Sequence, residues 1–347
     1  MKKVIVTGVT GQVGSYMAEF LLKHKDVKVY GAIRRLSVPN HKHIEKIKMN
    51  PDFELIEMDL GDEHSINTCI EEIKPDYFIN FAANSFVGLS WKMPVNHFQN
   101  NTMGVLHQLE AIRKHCPKCR YYNAGSSEEF GDVAYSPQDL NHPSRPRSPY
   151  GASKVSARQI VKVWRDSYDL FAIQGYLFNH ESERRGEEFV TRKITMNVAK
   201  IKKALDKGEK PKVFELGNID SQRDWSHAED FVRAVWLMLI AEKPKDYLLA
   251  SGETHSVREF VEKAFEYAGI KTRWHEEENP LHTKLMHPET GSILMKINKA
   301  FYRPAEVELL LGDPSEAKKD LHWENSVDFS LLVRRMVNHD IEEINAT

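Results

Sequence analysis

The run Thr7-Gly8-Val9-Thr10-Gly11-Gln12-Val13-Gly14 joins a short apolar stretch, Lys3–Thr7, to a segment of helical period. No other feature constrains the chain as much. Val13, Met17, Phe20 and Leu21 fall on one face of a helix predicted over Gln12–Lys25. Glycines at this spacing allow a tight turn, close packing of helix on strand and close approach of backbone to a pyrophosphate, while the helix N-terminus presents free N–H groups to it. The spacing is G-x-x-G-x-x-G, not the more usual G-x-G-x-x-G, so the position between strand and helix carries the reading. Gly8, Thr10, Gly11, Gln12, Val13 and Gly14 are accordingly expected to bind a dinucleotide cofactor.

Further strands are predicted at Val27–Arg34, Phe53–Leu60, Asp76–Ala83, Arg120–Ser127 and Ala172–Asn179. Helices near Asp62–Ile73, Pro94–His115 and Tyr150–Tyr168 separate them. Such alternation predicts an α/β chain built on a Rossmann-type doubly wound parallel sheet, with ligands at the carboxyl ends of the strands. The pattern loosens after about residue 180. A helix is expected over Val190–Lys207, a charged linker over Gly208–Lys212, a helix over His227–Ala241 and a strand over Asp246–Ala250. Ser256 and Glu259 form an S-x-x-E capping box for a helix ending near Gly269. Trp274–Ile297 reads as loops. Residues 1–178 are therefore expected to form the nucleotide-binding domain, with elements from 213–250 returning to it. Residues 179–347 are expected to form a smaller mixed α/β substrate domain.

Composition excludes several classes. The 347 residues carry a net charge of −2, with 41% hydrophobic and 28% charged residues, so no global field gathers nucleic acid or an anionic membrane. No apolar run reaches the ~18–20 residues of a membrane span. Lys2 and Lys3 before Val4, Ile5 and Val6 resemble the start of a signal peptide, but glycines interrupt the run too early. A cytoplasmic location is the expectation. Three cysteines make no disulfide framework. Cys116-Pro117-Lys118-Cys119 lacks the second ligand pair a zinc site needs, so no metal is expected.

The end of the second strand tells one nicotinamide dinucleotide from the other. An acid there suits the ribose hydroxyls of NAD; this chain has Arg34 and Arg35, which suit the 2′-phosphate of NADP. Asp59 and Leu60 are expected beside the adenine. Phe81, Ala82, Ala83 and Ser85, at the end of the fourth strand, are expected to admit the cofactor closely.

Tyr150 and Lys154 form a Y-x-x-x-K that shares one helical face. An ammonium beside the phenol, together with a positively charged nicotinamide, is expected to pull the tyrosine from ~10 towards neutrality, so that it can take a hydroxyl proton. Tyr267 and Lys271 repeat the spacing without a nucleotide context and straddle a helix end. Ser126, at the end of a strand, offers a hydroxyl to the reacting oxygen. Glu128 adds a carboxylate, which allows more than hydride transfer: oxidation at C4 of a hexose acidifies C5, a base removes that proton, water leaves from C6 and the hydride returns there.

These residues, with the blocks GVTGQVGSYMAEFLL from Gly8, PRSPYGASK from Pro146, FNHESERRGEEFVTRKIT from Phe178, LGNIDSQRDWSHAEDFV from Leu216, SGETHSVREFVE from Ser251 and YRPAEVELLLGDPSEAKKDLHW from Tyr302, resemble the GDP-mannose 4,6-dehydratase family of extended short-chain dehydrogenases. The resemblance implies Glu128 and Tyr150 as acid/base groups assisted by Ser126 and Lys154. It implies His180 and Arg185 at the cofactor. It places Ser85, Asn179, Val190, Lys193, Gly217, Arg223, Arg303 and Glu306 at the GDP-sugar, and it implies a homotetramer or homodimer. Departures include Ser126 for threonine, Val13 for aspartate, Glu129-Phe130 for Leu-Tyr, Phe86 for histidine, Asn84 for glutamine and Asn96 for tyrosine. Several cluster where the sugar should lie, so GDP-manno-heptose stands beside GDP-mannose as a substrate. A C4 dehydrogenase or epimerase of the same fold is the alternative activity.

Overall fold

The computed structural model describes residues 1–302, 305, 307 and 309–346. The chain begins β1 (Lys2–Thr7), α1 (Gln12–Leu21), β2 (Val27–Ile33), β3 (Phe53–Glu57), α2 (Glu63–Ile73) and β4 (Tyr77–Asn80). It continues α3 (Val87–Ser90), α4 (Pro94–Phe98), a π-helical turn over Gln99–Met103, α5 (Gly104–His115), β5 (Arg120–Ala124), α6 (Pro149–Tyr168) and β6 (Ala172–Leu177). Then come β7 (Asn179–Glu181), α7 (Val190–Asp206), β8 (Phe214–Leu216), β9 (Gln222–Arg223), β10 (Trp225–His227), α8 (Ala228–Ile240) and β11 (Tyr247–Leu249). The described chain finishes with β12 (His255–Ser256), α9 (Val257–Tyr267), β13 (Arg273–His275), β14 (Lys284–Met286), β15 (Ile293–Ile297), α10 (Ser315–Leu321) and α11 (Phe329–Ala346).

Seven parallel strands form the main sheet in the order β11-β6-β5-β4-β1-β2-β3. Strand side chains alternate between faces. Val4 and Val6 accordingly enter one core with α1, α8 and Trp323, while Ile5 enters the other with α2, α5 and α6. The chain reverses direction of travel across the sheet between β1 and β4, which opens a crevice at their carboxyl ends, the usual ligand site of such a sheet.

A second core joins α7, α9 and α11 to a four-stranded sheet ordered β13-β14-β15-β8. Buried Arg192 of α7 ties this lobe together: its Nη2 lies 2.8 Å from Asp340 Oδ1 and 2.9 Å from Glu343 Oε2 on α11. The stretch expected to be loops, Trp274–Ile297, thus contains two strands and most of a third. Each has only three to five residues, too few for alternation to show, and pairing across the sheet stabilises them. The predicted Pro94–His115 helix is interrupted by the π turn, and the predicted Arg120–Ser127 strand stops at Ala124.

Candidate active site

The glycine turn is built by close approach. Gly8 has φ +66°, and a Cβ there would lie 3.0 Å from the Ala82 nitrogen; a Cβ at Gly14 would lie 2.3 Å from the Gly8 oxygen. Gly11 caps α1 without any side-chain hydrogen bond, and no acid occupies the first turn. The positive end of α1 is therefore left for an anion. Arg34 and Arg35 are exposed and make no ion pair among the described residues. A cradle that no side chain can fill, a bare helix end and unpaired guanidinium groups together fit a phosphorylated dinucleotide.

A cavity of about 450 Å³ runs from this turn to the end of β5. Of the residues expected at the cofactor, Gly8, Thr10, Gly11, Gln12, Val13, Gly14, Arg34, Asp59, Leu60, Phe81, Ala82, Ala83, Ser85, Tyr150, Lys154, His180 and Arg185 line it, and Arg35 does not. Ser126, Glu128, Asn179 and Arg223 line it as well. Val190, Lys193 and Gly217 stand outside this lining. Lys193 Nζ lies 3.7 Å above the Phe301 ring, and a Cβ at Gly217 would lie 2.7 Å from the Phe301 oxygen, so these two gather around an aromatic residue that sequence reasoning missed. Arg303 and Glu306 lie outside the described residues. Sequence reasoning also missed Asn100, Val87 and Phe189, which reach the cavity from a π turn, a four-residue helix and a loop. Ala32, Ile33 and Met58 line it beside predicted positions, as strand ends in such a sheet do.

The face of the cavity at the end of β5 is organised by two N-caps. Ser148 caps α6, its Oγ accepting from the Gly151 N–H at 3.0 Å, and Pro149 opens the helix. Tyr150 and Lys154 thereby occupy successive turns. The π turn grips this helix: Asn101 Nδ2 donates to Ser153 Oγ at 3.1 Å, Thr102 Oγ1 donates to the Ser153 carbonyl at 2.8 Å, and Asn101 Oδ1 accepts from the Asn84 N–H at 2.8 Å. Such a bulge aligns side chains that a regular helix would separate.

Ser126 forms the second cap. It and Glu129 make a reciprocal capping box around the short 3₁₀ turn Ser127–Glu129. Ser126 Oγ accepts from the Glu128 N–H at 3.2 Å, and Glu129 Oε1 accepts from the Ser126 N–H at 2.9 Å. The S-x-x-E spacing was legible in the sequence, but a strand running to Ser127 leaves no place for a cap. The turn puts Ser126, Glu128 and Tyr150 on one cavity.

In the protein alone, burial acts against the lowering expected of the tyrosine beside a bound nicotinamide. Burial pushes the Tyr150 phenol up to about 12, opposed by its hydrogen bond with Ser126. Lys154 Nζ donates to the Ala124 carbonyl at 2.8 Å and lies 5.9 Å from the centre of the phenol ring. It is itself pushed down to about 8 by burial, opposed by Glu129. In the protein alone, desolvation outweighs the neighbouring ammonium. His180, whose Nδ1 lies 2.8 Å from the Phe178 carbonyl, is held down at about 4 by burial and by Arg185, and so faces the cavity as a neutral imidazole. The guanidinium of Arg185 lies 3.6 Å above the Phe189 ring.

Comparison with known proteins covers nearly the whole chain. The GDP-mannose 4,6 dehydratase family profile matches residues 5–336. The GDP-mannose 4,6 dehydratase of Drosophila melanogaster is 43% identical over 350 residues, covering 98% of this chain and 86% of its own length. The human GDP-mannose 4,6 dehydratase is 43% identical, covering 97% and 91%. Among solved structures, the dTDP-glucose 4,6-dehydratase of Bacillus anthracis in complex with NAD superposes with a TM-score of 0.79 at 18% identity, covering 99% of this chain and 98% of its own; that likeness speaks to the fold. Sequence likeness of this extent, over the same turn, strand end and helix that enclose the cavity, places the chain in the GDP-mannose 4,6-dehydratase family of nucleotide-sugar 4,6-dehydratases.

Proposed function

We propose that the chain catalyses NADP-dependent 4,6-dehydration of a GDP-sugar, with GDP-mannose as substrate and a 4-keto-6-deoxy sugar as product. The observation that carries this reading is the convergence of Ser126, Glu128, Tyr150 and Lys154 on the cavity that begins at the glycine turn. The names of the relatives support it. When bound, the nicotinamide supplies the redox chemistry, accepting a hydride from C4 and returning it to C6. Tyr150 takes the proton from the C4 hydroxyl, with Ser126 Oγ holding that oxygen and Lys154 supplying positive charge from the next helical turn. Glu128 removes the C5 proton and delivers it to the departing C6 hydroxyl, which leaves as water. A proton from solvent then returns to C5. Arg223, which lines the cavity, supplies the positive charge that neutralises the diphosphate.

Incubation with GDP-mannose and, in parallel, GDP-manno-heptose in heavy water tests the reading. The product is expected to have lost one water and to carry deuterium at C5. A C4 ketone with accumulating reduced cofactor, or an epimer of unchanged mass, would instead assign the chain to the alternative activities. Turnover of the heptose alone would move the substrate to the longer sugar.

The choice of NADP rests on Arg34 and Arg35. Hydrogen bonds to a charged group contribute about 1.5–3 kcal/mol, so Arg34→Ala with Arg35→Ala is expected to lower affinity for NADP about 10–100-fold and leave affinity for NAD nearly unchanged. Fluorescence titration of both cofactors measures this; an unchanged ratio would remove the arginines from the 2′-phosphate site.

A further inference from the structure

Glu129 is a carboxylate with no exposed surface, directly behind the reacting groups and on none of the cavity walls. Burying such a group is costly unless donors surround it. Its neighbours meet that condition at one oxygen, while Oε2 has no hydrogen-bond partner among the described residues and faces the Arg158 guanidinium. Oε1 accepts from the Ser126 N–H at 2.9 Å and from Gln174 Nε2 at 3.3 Å. Arg158 Nε lies 3.6 Å from Oε2. Burial raises the Glu129 carboxyl, opposed by Arg158, the Ser126 N–H, Lys154 and Gln174, each of them a donor or a cation that favours the ionised form. Space has been cleared for it as well: a Cβ at Gly125 would lie 2.6 Å from Glu129 Oε1 and 2.3 Å from Gln174 Nε2.

The carboxylate also ends a buried chain of hydrogen bonds that crosses four strands. Thr7 Oγ1 donates to Asn80 Oδ1 at 2.7 Å, Asn80 Nδ2 to Asn123 Oδ1 at 2.9 Å, Asn123 Nδ2 to Gln174 Oε1 at 2.8 Å, and Gln174 Nε2 to Glu129. All four donors point the same way. An ionised carboxylate can only accept, so it obliges Gln174 to present its amide nitrogen, and each amide before it follows. Head-to-tail dipoles of this kind reinforce one another. At the far end, Thr7 Oγ1 accepts from the Phe81 and Ala82 N–H groups at 3.1 and 3.0 Å, at the glycine turn.

We propose that Glu129 is a positioning residue for the dehydration: its carboxylate holds the Ser126 main chain and sets the direction of the amide chain reaching the nucleotide turn. The inference rests on the dehydratase reading above. The charged and titratable groups around Glu129 are Tyr150, Lys154 and Arg158 on α6, Tyr176 on β6, which accepts from Arg158 Nη1 at 3.0 Å, and Glu128 on the same turn. The sign of its effect follows. Its negative charge helps Lys154 keep a proton and resists loss of the Tyr150 proton. Removing it lets both groups lose their protons at lower pH.

Glu129→Gln keeps an acceptor for the Ser126 N–H, removes the charge and turns the atom facing Arg158 into a donor. The expected result is that kcat falls about 3–10-fold and that both limbs of the pH–rate profile move to lower pH. Glu129→Met combined with Arg158→Met removes the acceptor too; replacing both members of a buried ion pair by apolar side chains is commonly tolerated by the fold. It should show the same displacement and a kcat loss of about 30–100-fold, and it answers the question alone if the glutamine variant does not fold. Limbs at the wild-type positions in a folded variant, whatever the rate, would reduce Glu129 to a purely structural role. Wild-type protein that forms no dehydrated product from either GDP-sugar would count against the dehydratase reading instead, so the two failures are distinct.

Discussion

Tyr150→Phe is expected to lower kcat by about 10³-fold or more, with thermal stability and cofactor affinity close to wild type. The loss is of one oxygen at a group that is 7% exposed and held between Ser126 and the first turn of α6. Phenylalanine keeps the ring and its edge-on contact with His97, whose centroid lies 6.5 Å away, so the wall of the cavity survives. What disappears is the base for the C4 hydroxyl, without which hydride cannot leave. No reduced cofactor should therefore form, even at saturating GDP-sugar. The pH dependence carries a further expectation. Burial holds Tyr150 near 12 and Lys154 near 8, so phenolate beside ammonium is a minor form of the protein alone, and positive charge of a bound oxidised nicotinamide favours it. Once a bound nicotinamide has brought the phenol below Lys154, wild-type activity should rise with pH as the phenol ionises and fall as Lys154 loses its proton. Steady-state rates across pH, with absorbance at about 340 nm, measure both. A Phe variant that retains a tenth of the wild-type rate would remove Tyr150 from the base role.

Glu128→Gln should fail at a different step. Its N–H is held by Ser126 Oγ, an interaction of the main chain that the substitution leaves in place, and the amide fills the carboxylate's volume. Tyr150, Ser126 and Lys154 remain, so C4 oxidation can proceed. Removal of the C5 proton cannot, because an amide is no base at neutral pH. The stored hydride then has no acceptor at C6. The expected result is a burst of bound reduced cofactor at about 340 nm, with product formation down about 10²–10⁴-fold. The contrast is the test: the Phe variant shows no burst and the Gln variant shows a burst without turnover. Normal turnover by Glu128→Gln would give the C5 proton to another group. A missing burst in a folded, cofactor-binding Gln variant would place Glu128 in the oxidation as well.

How far the chain could be read from its residues depended on the range over which each signal acts. The glycine turn, the Tyr150–Lys154 spacing and the alternation through β6 are local patterns, and the structure keeps them with ends shifted by a few residues. Ser126, Glu128 and Tyr150 were legible singly, because strand ends and helix starts carry recognisable chemistry. The Ser126–Glu129 capping box was also legible, and was hidden only by expecting β5 to run too far. The strands between Arg273 and Ile297 were not legible: elements of three to five residues carry no period, and what stabilises them is a partner far along the chain.

The residues in order were enough to determine an α/β fold around a parallel sheet, a close-packed glycine turn at the start of α1 and a tyrosine–lysine–carboxylate set. Tertiary structure alone decided that Lys154 turns to the Ala124 carbonyl, that burial prevails over charge at Tyr150, that a π turn clamps Ser153, and that Glu129 lies beneath Ser126 at the end of a chain of amides from Thr7. The physical reason is common to all four. Desolvation and hydrogen-bond direction are sums over every neighbour in space, and those neighbours come from β1, β4, β5, β6 and α6, up to about 170 residues apart, a distance over which no pattern in sequence carries information.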